Sequence, residues 1–212
     1  MNQDPNIIEN AYTRVGGIIL AAGGSKRLGR PKQGLTWQGK PFITHIALQA
    51  LAASLEPLKV VLGADQDLVR DTLVNIPVKL IENPDWEKGQ STSMKAGLRS
   101  LPANCDSVVF LLCDQPQVSA VLIRKLIERR IQKHSPIIAP RVGRQRGNPV
   151  LFGHETFSAL LKVDGDKGGR GIFDRFDVDY VPWMDRRLLL DVDDEHDIQM
   201  MNQAYGDIIG TR

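Results

Sequence analysis

The sequence predicts an α/β fold on a mostly parallel sheet, and three observations point there. Apolar, β-rich runs recur along the chain, stretches of helical spacing separate them, and the runs are strand-sized, as in 108–113. Residues 1–14 are polar and unpatterned and predict a flexible arm, so that a single domain occupies 15–212. The first strand is expected over 15–21. A helix follows over 41–53, with Pro41 in its first turn and Phe42, Ile46, Leu48 and Leu51 on its apolar face. Strands over 58–63 and 78–82 flank a short helix over 66–74. Ser91 or Ser93 is expected to cap a third helix ending near Ser100, before a strand over 107–113. Ser119 caps a fourth helix that places Leu122, Ile123, Leu126, Ile127 and Ile131 on one face, and a strand over 136–140 comes next. Beyond it the pattern changes to GRQRGNPVLF, a helix-like HETFSALL, a glycine-rich GDKGGRG, a short strand over 187–190 and a closing helix over 194–204. This last third reads as an insertion that shapes a second pocket wall.

Composition narrows the function. With 212 residues, 42% of them hydrophobic, the chain fills one sizeable core. Lys and Arg total 27 against 25 Asp and Glu, a net charge of +2, which argues against holding nucleic acid through bulk charge. Cys105 and Cys113 form no CxxC pattern and lie near no histidine at metal spacing, which disfavours a disulfide scaffold or a structural zinc. No apolar run approaches the roughly 20 residues that cross a bilayer, and the start lacks the pattern of an export signal, so the expected location is cytoplasmic.

In parallel α/β sheets ligands bind beyond the carboxyl ends of the strands, so the loops that follow strands carry the information. The loop LAAGGSKRLGRPKQ, residues 20–33, holds Gly23, Gly24 and Gly29 and places Lys26, Arg27, Arg30 and Lys32 within seven positions without an acid. Small residues let backbone N–H groups close around phosphate oxygens while the cations offset their charge, which suits a nucleoside triphosphate. A solvated basic surface loop is the plainer account, and the position directly after a buried strand argues against it. Two common phosphate motifs are excluded: Gly24 to Gly29 is followed by Arg30 and Pro31 rather than Lys and Ser or Thr, and GxGxxG is absent.

Asp114 ends the apolar run VVFLLC, where a carboxylate either holds Mg²⁺ beside phosphates or forms the turn before Pro116. Cys113 reads as a small buried hydrophobe. In NPDWEKGQSTSMKAG, Gly89 permits close backbone approach, Ser91, Thr92 and Ser93 either meet a ligand or cap a helix, and Trp86 either packs or stacks. Near the end Asp191, Asp193, Asp194 and Asp197 crowd seven positions. Either of the first two is a candidate second metal ligand, whereas Asp194 suits an N-cap and Asp197 the first turn. The histidines 45, 134, 154 and 196 share no spacing, and none is assigned.

In order, LAAGGSKRLGRPKQ, NPDWEKGQSTSMKAGL, VVFLLCDQP, GRQRGNPVLF, GDKGGRGIF and LLLDVDDEHD resemble the segments of the MobA-like nucleotidyltransferases, over about residues 15–205. The resemblance implies a Rossmann-like three-layer sandwich of the nucleotide-diphospho-sugar transferase type, Mg²⁺ as cofactor, and transfer of a nucleoside monophosphate with release of pyrophosphate. It places Leu20, Ala21, Ala22, Gly23, Gly24, Gly89 and Ser93 against the nucleotide, Arg27 and Lys32 on the triphosphate, and Asp114 and Asp191 on the metal. Arg146 and Asn148 match an RGHP-like motif, with Asn where histidine is frequent, and together with Asp166 and Arg170 they would bind the acceptor. Ala21-Ala22-Gly23 resembles the cytidylyl branch, which implies CTP and a molybdenum-bearing pterin as substrates and a molybdoenzyme as recipient. Transfer of another nucleotide to a sugar or alcohol phosphate, or binding without turnover, are the competing readings.

Overall fold

Successive side chains alternate across the central strands, and each face of the sheet they form carries its own apolar layer. The computed structural model describes residues 14–211. The arm expected over 1–14 therefore lies outside the described residues except for Arg14, which is bound to Asp106 and Asn104.

β1 (Val15–Leu20) leads through the glycine-rich loop to β2 (Leu35–Trp37), β3 (Lys40–Pro41) and α1 (Phe42–Ala52). Next come β4 (Leu58–Leu62), α2 (Gln66–Thr72), β5 (Lys79–Glu82), α3 (Gln90–Arg99) and β6 (Ser107–Leu112). Then follow α4 (Ala120–Lys133), β7 (Ile137–Val142), β8 (Gln145–Arg146), β9 (Val150–Gly153) and α5 (Phe157–Leu160). A run of 3-10 turns over Gly165–Arg175 precedes β10 (Val178–Pro182), α6 (Glu195–Tyr205) and β11 (Ile209–Thr211).

The main sheet has the order β10-β7-β9-β6-β1-β4-β5, with β8 on β7, and β11-β2-β3 form a small antiparallel sheet. β1 is parallel to β4 and β6, β4 to β5, and β7 to β10. On one face Ile19, Val60, Leu62, Val109 and Leu111 pack with Phe42, Ile46, Leu122, Leu126 and Met201. On the other, Ile18, Val61, Val108 and Phe110 pack with Met94, Leu98 and Leu160. Each such buried side chain contributes about 1.5–3 kcal/mol relative to exposure. This is the expected Rossmann-like α/β sandwich with a mostly parallel sheet. No helix among the described residues is long and apolar enough to cross a membrane.

Four expectations need correction. The last third is not an insertion beside the sheet: β9 enters the sheet itself, antiparallel to both β6 and β7, and β10 extends its edge. The LLL run is not a strand over 187–190, because the Asp185 carboxylate accepts the Arg187 N–H at 3.0 Å and starts a 3-10 turn over Arg186–Leu189. No serine caps α3, which begins after Gly89, a residue at φ 111° that turns the chain where a β-carbon would be strained, and Ser91 and Ser93 lie buried in the first turn. On α4, Leu122, Ile123 and Leu126 are buried, but Ile131 is 50% exposed. Ser119 does cap α4, accepting the Leu122 N–H at 3.3 Å, and Asp194 caps α6 in a reciprocal box with Asp197.

Candidate active site

Between β1 and β2 the glycine-rich segment folds into a braced loop. The Ser25 carbonyl accepts from the N–H groups of Leu28 and Gly29 at 3.1 and 3.2 Å, and Leu28 is buried beneath that turn. Buried Gln33 donates its amide to the carbonyls of Ala21 and Gly23, both at 3.1 Å, and the Lys32 N–H donates to Ser25 Oγ at 3.0 Å. Among the described residues the N–H groups of Ala22, Gly23 and Gly24 donate to no acceptor. A loop with its carbonyls tied back and its N–H groups free is arranged for an anion.

Three carboxylates from distant parts of the chain meet the cations of this loop. Lys32 Nζ lies 3.3 Å from Asp114 Oδ2 and 2.8 Å from Asp193 Oδ1, and Arg27 Nη2 lies 2.5 Å from Asp193 Oδ2. Arg30 pairs with Glu195 at 2.6 Å. Burial alone would lower the Lys32 ammonium, but Asp114 and Asp193 outweigh it and hold the group above its usual value. Burial pushes the Asp114 carboxyl up, with Lys32 pulling the other way and Asp191 and Asp193 adding to the rise. Burial also opposes ionisation of Asp193, yet Lys32 and Arg27 bring it below the usual carboxylate range. The Cys113 thiol is pushed up to about 12, by burial first and Asp114 second, in keeping with an inert hydrophobe.

Asp114 Oδ1 is buried with no hydrogen-bond partner. A lone anionic oxygen of this kind fits a divalent cation, and Mg²⁺ requires only one or two carboxylates when phosphate oxygens complete its shell. Asp191 is exposed, and its Oδ1 accepts from Gln115 Nε2. Among the described residues no three His, Cys, Asp or Glu side chains converge on a metal position by themselves.

A cavity of about 300 Å³ opens over this cluster. Leu20, Ala21, Ala22, Gly23, Lys32, Gly89, Ser93 and Asp114 line it, as do Lys26, which the sequence offers as one of the loop's cations, Trp86, for which it leaves packing and stacking open, and Gln33, Glu87 and Gln90, which it does not assign. Gly24 lies instead beneath the Trp86 ring, and Arg27 turns outward to Asp193. Ser93 is held by Asn83, whose amide donates to its Oγ at 2.9 Å. Lys26 was visible as charge in a loop and Asp193 as a candidate metal ligand, whereas the contacts of Gln33 with the loop carbonyls and of Asp193 with Lys32 and Arg27 have no mark in local sequence.

A second cavity of about 60 Å³ adjoins the first across Leu20, Gln90 and Leu112. It brings together Arg146, Asn148 and Arg170 over Met94 and Phe110, Phe152 and Phe173. The Arg146 guanidinium stacks 3.7 Å from the Phe173 ring centre, and Phe173, Phe152 and Phe110 meet edge to face at 6.0 and 5.8 Å. Burial lowers the Arg146 pKa, and Arg170 nearby adds to that. Asp166 lies apart from these three, on the first cavity, where its Oδ1 accepts the Gln90 N–H at 3.3 Å.

The model of the MobA-like NTP transferase domain matches residues 17–180. A protein of Paenarthrobacter nicotinovorans named nicotine blue oxidoreductase is 31% identical over 202 residues, covering 90% of this chain and 95% of that one. A Bacillus anthracis protein named probable molybdenum cofactor guanylyltransferase is 29% identical over 176 residues, covering 80% of this chain and 84% of its own. Among solved structures, Rv0371c of Mycobacterium tuberculosis H37Rv superposes with a TM-score of 0.82 at 27% identity over 90% of this chain and 98% of that one. A nucleotidyl transferase of Methanothermobacter shares the fold, with a TM-score of 0.77 at 20% identity over 91% and 97% of the two chains.

Proposed function

The chain belongs to the MobA-like NTP transferase family and is a nucleotidyltransferase, and from that premise we propose that it moves CMP from CTP to the phosphate of a molybdenum-bearing pterin and releases pyrophosphate. The observation that carries this reading is the Lys32, Asp114 and Asp193 cluster, set beside a loop whose N–H groups are free. The nicotine blue oxidoreductase relative carries a different chemistry in its name, and it is this phosphate-suited cluster that favours transfer.

On this reading the triphosphate takes the N–H groups of 22–24, and Lys32 and Arg27 exchange Asp193 for phosphate oxygens. The acceptor phosphate is already ionised near neutral pH, so no side chain has to remove a proton from it. Its oxygen attacks the α-phosphorus in line, the bond from that phosphorus to the bridging oxygen breaks, and the electron pair leaves with pyrophosphate, whose charge Lys32 and Arg27 offset. Asp114 and the 191–193 segment, where Asp191 keeps one carboxylate oxygen clear of Gln115, would hold magnesium, which would supply further charge neutralisation. Arg146 and Arg170 hold the acceptor's phosphate in the second cavity, and Asn148 contributes a donor and an acceptor but no titrating proton. A molybdoenzyme would be the recipient of the product.

The stretch Ala21-Ala22-Gly23, which resembles the cytidylyl branch and lines the cavity, supports CTP. GTP is the second reading, favoured by relatives named molybdenum cofactor guanylyltransferase at 29% and 30% identity. One assay tests both: pyrophosphate release with molybdenum-loaded pterin, Mg²⁺ and each of CTP, GTP, ATP and UTP, with product mass recorded. A cytidylylated pterin is expected; a guanylylated one moves the protein to the second reading, and no release with any nucleotide overturns both.

A further inference from the structure

We propose that Trp86 is the platform on which the nucleobase stacks, an assignment that rests on the nucleotide reading of the first cavity. The tryptophan stands in a 3-10 turn, Trp86–Lys88, that follows β5 at the carboxyl end of the sheet. That turn is fixed on both sides: the Asp85 N–H donates to Asn83 Oδ1 at 3.1 Å, Thr92 Oγ1 donates to the Asp85 carbonyl at 3.0 Å, and the Gly89 N–H donates to the Trp86 carbonyl at 3.2 Å. The indole rests on two residues that lack side chains. A Cβ on Gly63 would come within 2.7 Å of Trp86 Cγ, and one on Gly24 within 3.2 Å of Cη2, so the five-membered ring covers one glycine and the six-membered ring the other.

The protein's other tryptophans are engaged elsewhere. Trp37 is buried, edge to face with Tyr205 at 5.0 Å, and Trp183 carries Lys125 Nζ 5.7 Å from its ring centre. Among the described residues Trp86 has neither an aromatic nor a cationic partner; it is half-buried and lines the cavity with Ala22 and Gly23. β5 also stands three strand spacings from β6, roughly 14 Å, so Trp86 and Asp114 are carried on well-separated strands across the same cavity. A flat, rigid, unpartnered aromatic face at a distance from the phosphate-binding charges fits the one part of a nucleotide that is itself flat and aromatic.

The test separates base from phosphates. Calorimetric titration with CTP, GTP and inorganic tripolyphosphate, each with Mg²⁺, is run on the wild type, Trp86→Phe and Trp86→Ala. Stacking predicts that Trp86→Ala weakens nucleotide binding by about 5- to 100-fold and leaves tripolyphosphate binding unchanged, while Trp86→Phe stays within about threefold of wild type. Equal losses for nucleotide and tripolyphosphate would make Trp86 a prop for the Gly24 loop and overturn the proposal. An unchanged nucleotide affinity in Trp86→Ala would overturn it too while leaving the transferase reading intact, whereas a wild type that binds tripolyphosphate but neither nucleotide would remove both.

Discussion

The two adjoining cavities hold their cations in opposite ways. In the larger, Lys32 is met by Asp114 and Asp193, the latter shared with Arg27 at the outer side, and in the smaller, Arg146 lies on the face of Phe173, with no carboxylate in contact among the described residues. A carboxylate-bound cation must exchange one anion for another when a phosphate arrives, so its position is maintained whether or not ligand is present. An arginine held by an aromatic face keeps its N–H edges free, so it needs no exchange and is oriented by packing alone. The difference follows the architecture: the first cavity sits on loops after parallel strands, the second on β8, β9 and the turns that pack against them.

The largest expected effect tests the first arrangement at its centre. Asp114→Asn should lower kcat by about 1000-fold with the circular dichroism spectrum unchanged, since the missing charge and not the shape of the side chain is at stake. Turnover near that of wild type would take Asp114 out of the chemistry. Next in size, Lys32→Ala should reduce kcat/KM for the triphosphate by about 100-fold while CMP binding falls far less. Equal losses for both nucleotides, read by titration, would mean that Lys32 does not address the phosphates beyond the first.

The second arrangement is tested by Arg146→Lys. Lysine keeps the charge but loses the planar stack on Phe173, so KM for the acceptor should rise by about tenfold with KM for the nucleotide unchanged. A shift in the nucleotide KM alone would assign Arg146 to the other cavity. The smallest effect belongs to an ion pair outside both cavities, Asp179 with Arg129, which is bidentate at 2.7 and 3.0 Å. The Arg129 guanidinium holds the Asp179 carboxyl below its usual value, so any stability it contributes is present above the ordinary carboxylate pKa and is lost as pH falls through the depressed one. Asp179→Asn should therefore lower Tm by no more than roughly a few degrees at pH 7 and not at all in strong acid, with activity unaffected. A large loss of activity in that variant would extend the functional region to the sheet edge.

The parallel half of the fold was legible because β1, β4 and β6 are largely apolar runs with helices between them, a pattern that follows from burial on both faces, while β5, half-exposed at the sheet edge, shows it more weakly. β9 was not, since four residues, Val150–Gly153, carry no mark of direction, and only their pairing with β6 and β7 defines them. At Arg186–Leu189 a single side-chain cap from Asp185 overrode an apolar run that propensity alone would place in a strand. The site divides in the same way. Loop 20–33 and Asp114 follow from their position after strands, and the structure brings Lys32 and Asp114 together. The partners Gln33 and Gln115 are visible only in three dimensions, and so is the pairing of Asp193, which the sequence offers as a metal ligand, with Lys32, because their meaning lies in what they touch.

The ion pairs of Arg27, Arg30 and Lys32 with Asp193 and Glu195 join residues 161 to 166 positions apart, and the Val192 N–H closes on the Asp114 carbonyl at 2.9 Å. Contacts of such sequence separation form late, because the entropy of closing the long loop precedes any gain from the contact. A chain still being synthesised can thus complete its first strands and helices, with Asp114 already beside Lys32, while Arg27 and Arg30 lack the carboxylates that later hold them. Assembly of the charged centre then becomes a report that the chain has been made and folded as far as Glu195, and a product that stops short of Asp193 would keep much of the sheet without the full cluster.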